Sequence, residues 1–135
     1  MAPRFETFEQ FWPYYVARHA DAATRWAHLG GFGAGLLVAG LALRKRRSAA
    51  AIALLPAIRY AAAAAAHRLV EHNTVFTPPQ ELSLDQQLWF VRADARMWTM
   101  MLTGRDAELQ LLADRWNTEC AIDRRRSESP VDEQV

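Results

Sequence analysis

Apolar positions recur along the chain at the spacing of α-helices. Near the N-terminus, residues 4–20 carry a stripe of mostly aromatic side chains with the three-to-four spacing of one helical face. Pro13 interrupts this stripe, so the helix either begins near Trp12 or kinks there. After a break, Asp21 or Thr24 is placed to cap the next helix.

Two long apolar stretches follow and predict a helical hairpin. Residues 26–43 contain no charged side chain, and residues 48–66 are interrupted only by Pro56 and Arg59. A helix of 18 residues is about 27 Å long, close to the hydrocarbon core of a bilayer at about 30 Å. Five glycines in the first stretch would let the two helix backbones approach closely. The pattern favours a membrane-embedded hairpin over a buried hairpin of a soluble protein, which is the alternative.

The turn of this hairpin is strongly basic. It consists of Arg44, Lys45, Arg46 and Arg47. Because basic loops are retained on the cytoplasmic side of membranes, a multi-pass arrangement predicts a cytoplasmic turn.

The C-terminal part predicts two further helices. Ser83 and Gln86 have the spacing of a capping box, which predicts a helix that Gly104 ends. Residues 105–124 form a last amphipathic segment. The expected fold is all-α, with about five helices around the apolar hairpin, in one domain over residues 1–124 with a polar tail over 125–135.

Composition narrows the class of protein. With 135 residues, 51% hydrophobic and 23% charged, the chain has the length and composition of one globular domain, which excludes a disordered tail. Twenty-five alanines favour helix. A net charge of +1 predicts no nucleic-acid partner, and the single Cys120 excludes an internal disulfide and a cysteine-based zinc site. The first fifteen residues do not have the pattern of a cleavable signal peptide.

The histidines are the candidates for chemistry. His67 and Glu71 are four residues apart, so on a helix they project from one face and could share a metal. His19 and His28 would lie on opposite faces of one continuous helix, and they converge only if the chain breaks between them. Neutral imidazoles suit iron, zinc or copper, and an added carboxylate suits non-haem Fe(II). Hydrogen-bonded core histidines are the alternative. The fourth, His72, points about 100° away from Glu71 and is expected in solvent or a loop.

Charged residues interrupt an aromatic helix near its middle. Arg92, Asp94 and Arg96 either form a surface face of ion pairs or belong to the site. In the second interpretation an arginine binds a carboxylate and the aspartate orients a histidine ligand through its ring N–H.

Three blocks in a fixed order carry a resemblance to a known family. The first is an aromatic run ending in tyrosine, at residues 11–15, followed by His19, Arg25, His28 and Gly31. The second is residues 67–73, a histidine, three residues, a glutamate, a basic residue and an asparagine; the third is residues 88–97. Over about residues 5–104 the chain resembles the Mpo-like family, formerly a domain of unknown function. It departs from the family pattern at Ala66, His72, Thr74, Val75 and Ala93, so the loop after Asn73 has diverged.

The resemblance implies an integral membrane enzyme. The implied reaction is an Fe(II)-dependent dioxygenation of fatty-acid α-oxidation, in which O2 converts a 2-hydroxy fatty acid to an acid one carbon shorter. The implied metal ligands are His19, His28 and His67, with Glu71 as a fourth ligand or a base. The other implied roles are a ligand-orienting Asp94, a substrate carboxylate paired with Arg92 or Arg25, and a substrate-facing Asn73. Membrane lipid is a further expected partner, and a homo-oligomer stays open.

Two hypotheses from other functional classes are the alternatives. One is a non-enzymatic membrane-associated helical protein that binds anionic lipid through residues 44–47, with the histidines in ordinary packing roles. The weaker one is haem held by two histidines in a helical bundle.

Overall fold

Five α-helices make up the part of the chain that the structure, a computed structural model, describes, namely residues 5–72 and 84–128. In chain order they are α1 (Phe8–Ala17), α2 (Ala22–Arg44), α3 (Ser48–Leu69), α4 (Leu84–Leu102) and α5 (Asp106–Glu128). The described residues contain no strand, so the all-α prediction is confirmed.

The first helix begins earlier than Pro13 alone suggests. The Thr7 side chain accepts a hydrogen bond from the backbone N–H of Gln10 at 3.3 Å, which caps a helix that starts at Phe8. Pro13 lies inside this helix and costs it one backbone hydrogen bond. The next helix is capped by Asp21, whose carboxylate accepts from the N–H of Ala23 at 2.7 Å, so Asp21 is the cap of the two candidates.

Helices α2 and α3 form the predicted hairpin and pack at close range. A Cβ added at Gly31 would lie 2.4 Å from Cβ of Ala62, and one added at Gly35 would lie 3.0 Å from the carbonyl oxygen of Leu55. A Cβ at Gly31 would therefore force the backbones apart, and one at Gly35 would require Leu55 to shift by a few tenths of an ångström. By length and composition both helices are candidates for membrane spans, and only 22% and 17% of their apolar windows are buried.

The apolar face of α1 builds the core together with α4 and α5. Phe11, Met97 and Leu109 from these three helices are fully buried. Gly104 ends α4 with a φ of 77°, as the sequence predicts. The last helix continues to Glu128, four residues past the predicted end. The predicted cap Ser83 lies outside the described residues.

Candidate metal centre

Three buried histidines meet where the hairpin joins the rest of the molecule. His19 follows α1 directly, His28 lies in the second turn of α2 and His67 in the last turn of α3. Their ring centroids are 4.5–5.2 Å apart. One nitrogen from each ring lies within 4.8 Å of the others, so the three could hold a metal ion.

The break between α1 and α2 brings His19 to this point. Its Nδ1 lies 2.8 Å from the carbonyl oxygen of Tyr15, which only accepts hydrogen bonds, so Nδ1 carries the proton. The lone pair of His19 is then on Nε2, which is buried and has no hydrogen-bond partner in the described structure. Burial lowers the pKa of His19 to about 3, with a further lowering by His28, so the ring is neutral at pH 7. A neutral imidazole with an unsatisfied buried lone pair suits a metal ligand.

The other two histidines face each other. Nε2 of His28 and Nε2 of His67 are 3.3 Å apart. Two nitrogens bound to one ion at about 2.0–2.1 Å would lie roughly 3 Å apart. The pair is therefore already close to the separation that a shared ion requires.

Asp94 of α4 lies beside the three histidines and contacts the ring of His28. Its Oδ1 lies 3.8 Å from Nδ1 of His28 and accepts a hydrogen bond from the Tyr15 hydroxyl at 2.5 Å, and its Oδ2 accepts from Arg59. Burial alone would raise the pKa of Asp94, but His28, the Tyr15 hydroxyl and the Arg59 charge together lower it. Burial and the neighbouring carboxylate raise the pKa of Tyr15 well above its ordinary value, so its hydroxyl remains a donor.

A carboxylate behind one imidazole and a backbone carbonyl behind another are the usual supports of metal-binding histidines. Comparison with known proteins agrees with this geometry: the family described as 2-hydroxy-palmitic acid dioxygenase Mpo1-like matches residues 5–106. The chain belongs to this family. No curated protein and no solved structure matches the chain.

In this member of the Mpo1-like family, the buried Arg25 links the segment around His19 to the start of α5. Its Nε and Nη2 donate to the two carboxylate oxygens of Asp106 at 2.9 and 2.8 Å. Its Nη1 donates to the carbonyl oxygens of His19 and Ala20 at 2.9 and 2.7 Å. The guanidinium thus fixes the chain around His19 against the start of α5, and its hydrogen-bonding groups are engaged within the protein.

Glu71 and Arg92 make contacts outside the group of three histidines. Glu71 accepts a hydrogen bond from the backbone N–H of Asp21 at 2.8 Å, and the metal-binding group of the described residues does not include it. Arg92 has a side chain that is 63% exposed, with Nη2 3.8 Å from a carboxylate oxygen of Glu9. Asn73 lies outside the described residues. His72 is exposed, as expected.

Sequence reasoning did not assign the roles of Tyr15 and Arg59. Tyr15 stands four residues before His19, which on a helix places its carbonyl beside the His19 ring. Arg59 is a charge within an apolar stretch, and such a charge signals a partner. Its partner, Asp94, is 35 residues away, so that pairing cannot be inferred from helical spacing.

Proposed function

We propose that this chain is an Fe(II)-dependent dioxygenase of fatty-acid α-oxidation, which converts a 2-hydroxy fatty acid to an acid one carbon shorter. The family name supports the substrate class and the use of O2. The observation that carries the proposal is the cluster of three buried histidines, whose ligand nitrogens lie within 4.8 Å of one another. Bound iron would supply O2 binding and a Lewis-acid site for the oxygen atoms of the hydroxy acid.

The residues of the chain prepare this site before substrate arrives. Tyr15 holds the proton of His19 on Nδ1, and Asp94 faces Nδ1 of His28, so both Nε2 lone pairs are directed to the shared point. The pairing of Asp94 with Arg59 balances the buried negative charge, which keeps the surroundings of the ion-binding point close to neutral.

The overall reaction needs no separate reductant. A 2-hydroxy acid and one O2 give the shorter acid, CO2 and water, and the four electrons that O2 accepts all come from the carbons of the cleaved bond. The apolar hairpin beside the centre would hold the acyl chain, since its exposed side chains are largely aliphatic.

The membrane position is part of the proposal. The hairpin crosses the bilayer and residues 44–47 face the cytoplasm. Support comes from the low burial of the two apolar helices, because the core helix of a soluble protein would be mostly covered by its own chain. Basic charge at the turn agrees with that orientation.

The test is metal content joined to turnover. Protein purified without air should carry about one iron per chain and consume O2 with 2-hydroxy-palmitic acid, releasing the acid one carbon shorter. We expect His67→Ala to lose both the iron and the activity. The matched control is His72→Asn, because His72 is exposed with a φ of 50° that asparagine tolerates.

Each other outcome contradicts a defined part of the proposal. Zinc in place of iron would keep the site but reject the oxygenase chemistry. Retained activity in His67→Ala would reject the ligand assignment. Failure to bind any metal, even after reconstitution with Fe(II), would favour the non-enzymatic membrane protein.

A further inference from the structure

Arg59 has unused hydrogen-bonding capacity beside the metal centre. Its Nη2 donates to Asp94, while Nε and Nη1 make no hydrogen bond to the residues that the structure describes. The side chain is 39% exposed, so one side of the guanidinium is open. A guanidinium carries five N–H donors in a planar fork that matches a carboxylate, so this group can bind a second one.

Arg25 and Arg92, which the sequence suggested as partners of a substrate carboxylate, make other contacts in the structure. Arg25 is fully buried, and its donors are bonded to Asp106 and two carbonyl oxygens. Arg92 lies on the α1 side of α4, with its guanidinium 4.0 Å above the Phe8 ring and near Glu9.

One helical turn beyond Asp94, the partner of Arg59, α4 carries a buried polar donor without an acceptor among the described residues. Helices α2 and α4 are matched turn by turn, because His28 faces Asp94 and, four residues further on each helix, Phe32 stacks on Trp98 at 4.8 Å. The indole Nε1 of Trp98 is buried and has no hydrogen-bond partner in the described part of the chain. An oxygen-bearing ligand would satisfy donors that have no partner among the described residues.

An apolar stripe leads away from the arginine along the hairpin. Ile52, Leu55 and Arg59 follow one face of α3 at helical spacing, and Ile52 is 76% exposed. From residue 59 to the start of α3 at residue 48 the helix extends about 16 Å. The stripe itself covers about 10 Å of this length, and the whole face from Arg59 to the start of α3 is comparable in length to a long acyl chain.

We propose that Arg59 binds the carboxylate of a long-chain fatty acid, with the acyl chain lying along this face of α3. The inference deepens the proposed function and rests on it for the identity of the substrate. The carboxylate and the 2-hydroxyl are on adjacent carbons, so binding the carboxylate at Arg59 keeps the bond that breaks beside His28. The carboxylate of the fatty acid would not displace Asp94, because Asp94 contacts only one edge of the Arg59 guanidinium.

The test is equilibrium binding of radiolabelled palmitic acid to the full-length protein in non-ionic detergent. Palmitic acid lacks the 2-hydroxyl, so its binding reports on the carboxylate without turnover. We expect Arg59→Met to weaken palmitic acid binding about tenfold or more, from the loss of a charge-assisted hydrogen bond. Binding of hexadecanol should be unchanged. Arg59→Lys should recover part of the loss because it keeps the charge.

The matched control is Arg68→Met, the same change at an exposed arginine of the same helix, which should bind palmitic acid as the parent does. Equal binding of palmitic acid by Arg59→Met and the parent would overturn the inference. If Arg59→Met does not fold, the parent protein still decides: it should bind palmitic acid about tenfold more tightly than hexadecanol, and equal affinities would overturn the inference.

Failure of the proposed function gives a different result. Palmitic acid binding that depends on Arg59, with no consumption of 2-hydroxy-palmitic acid, would support the carboxylate site and reject the reaction. Turnover of 2-hydroxy-palmitic acid, with palmitic acid binding that does not depend on Arg59, would support the reaction and reject the carboxylate site.

Discussion

Asp94 contacts polar side chains from three other helices. Its carboxylate meets the Tyr15 hydroxyl, the His28 ring and the Arg59 guanidinium, so one side chain joins four helices. A buried carboxylate with these partners stays ionised, and its negative charge beside Nδ1 of His28 favours the tautomer that carries its proton on that nitrogen. The direction of the His28 lone pair is therefore set by residues that do not bind the ion themselves.

Tyr15→Phe tests this support. Removing the hydroxyl leaves one oxygen of a buried carboxylate without its short hydrogen bond, which should cost about 1–3 kcal/mol of unfolding free energy. Because the His28 ring is then held less firmly, affinity for Co(II) should fall about tenfold. Urea unfolding and a Co(II) titration followed by visible absorption measure the two effects.

The comparison for that variant is Tyr14→Phe, since Tyr14 packs in the aromatic cluster through its ring. It should change stability by less than about 0.5 kcal/mol. An equal effect of both variants would show that Tyr15 contributes by packing alone.

The sequence predicts single residues well only where spacing carries the information. His19, His28 and His67 could be grouped because a break separates His19 from His28 and all three border the apolar hairpin. The structural role of Arg25 could not be predicted, because its main partner Asp106 is 81 residues away. From the sequence alone, an arginine that binds a substrate cannot be distinguished from one that pairs with a distant side chain.

At the scale of elements, the hairpin depends on close backbone contact. His28 and His67 are carried by different helices, so the distance between their Nε2 atoms follows the distance between α2 and α3. Gly31, one turn from His28, lies so close to Ala62 of α3 that it has no room for a Cβ. Packing between these helices and geometry at the metal centre are therefore coupled.

Gly31→Ala tests this coupling. The new methyl group would lie 2.4 Å from Cβ of Ala62, so the helices must separate. We expect a loss of about 1–3 kcal/mol in unfolding free energy and weaker metal binding. Gly33→Ala has nothing within 4 Å and should instead stabilise α2 by about 0.5–1 kcal/mol. If both variants behave alike, the close approach is not what holds the hairpin.

Elements themselves were easier to predict than their ends. The apolar stretches and the break at Asp21 predicted α2 and α3 closely. Of the two alternatives at Pro13, the helix start near Trp12 is wrong. The side-chain cap at Thr7 and the packing of the aromatic face outweigh the cost of one proline inside α1. Such competition between local preference and packing cannot be weighed from the sequence alone.

At the scale of the whole molecule, the chain has a polar end and a basic end separated by the hairpin. The metal centre lies with α1, α4 and α5 at one end, where Arg25 and Asp94 join these helices to α2 and α3. The turn over residues 44–47 lies about 24 Å further along α2, counted from His28. A bilayer around the hairpin would place the two ends on opposite sides.

The single cysteine makes this arrangement testable. Cys120 is exposed on α5, so a cytoplasmic turn predicts that a membrane-impermeant maleimide labels it in sealed, right-side-out vesicles. The matched variant Lys45→Cys with Cys120→Ser should be labelled only after permeabilisation. The reverse pattern would invert the proposed topology, and identical labelling of both sites would show that the hairpin does not cross.

The three histidines come from the turn after α1, from α2 and from α3, and this has a consequence for the lifetime of the protein. An ion bound only by the folded arrangement adds RT ln(1 + [M]/Kd) to its stability, or about 2.7 kcal/mol when free metal is 100 times Kd. Folded and unfolded chains are then in an equilibrium that metal supply controls. With the proposed ion as part of the fold, the unliganded chain in a metal-starved cell would open more often and be degraded sooner, so the amount of protein would follow metal availability as well as synthesis.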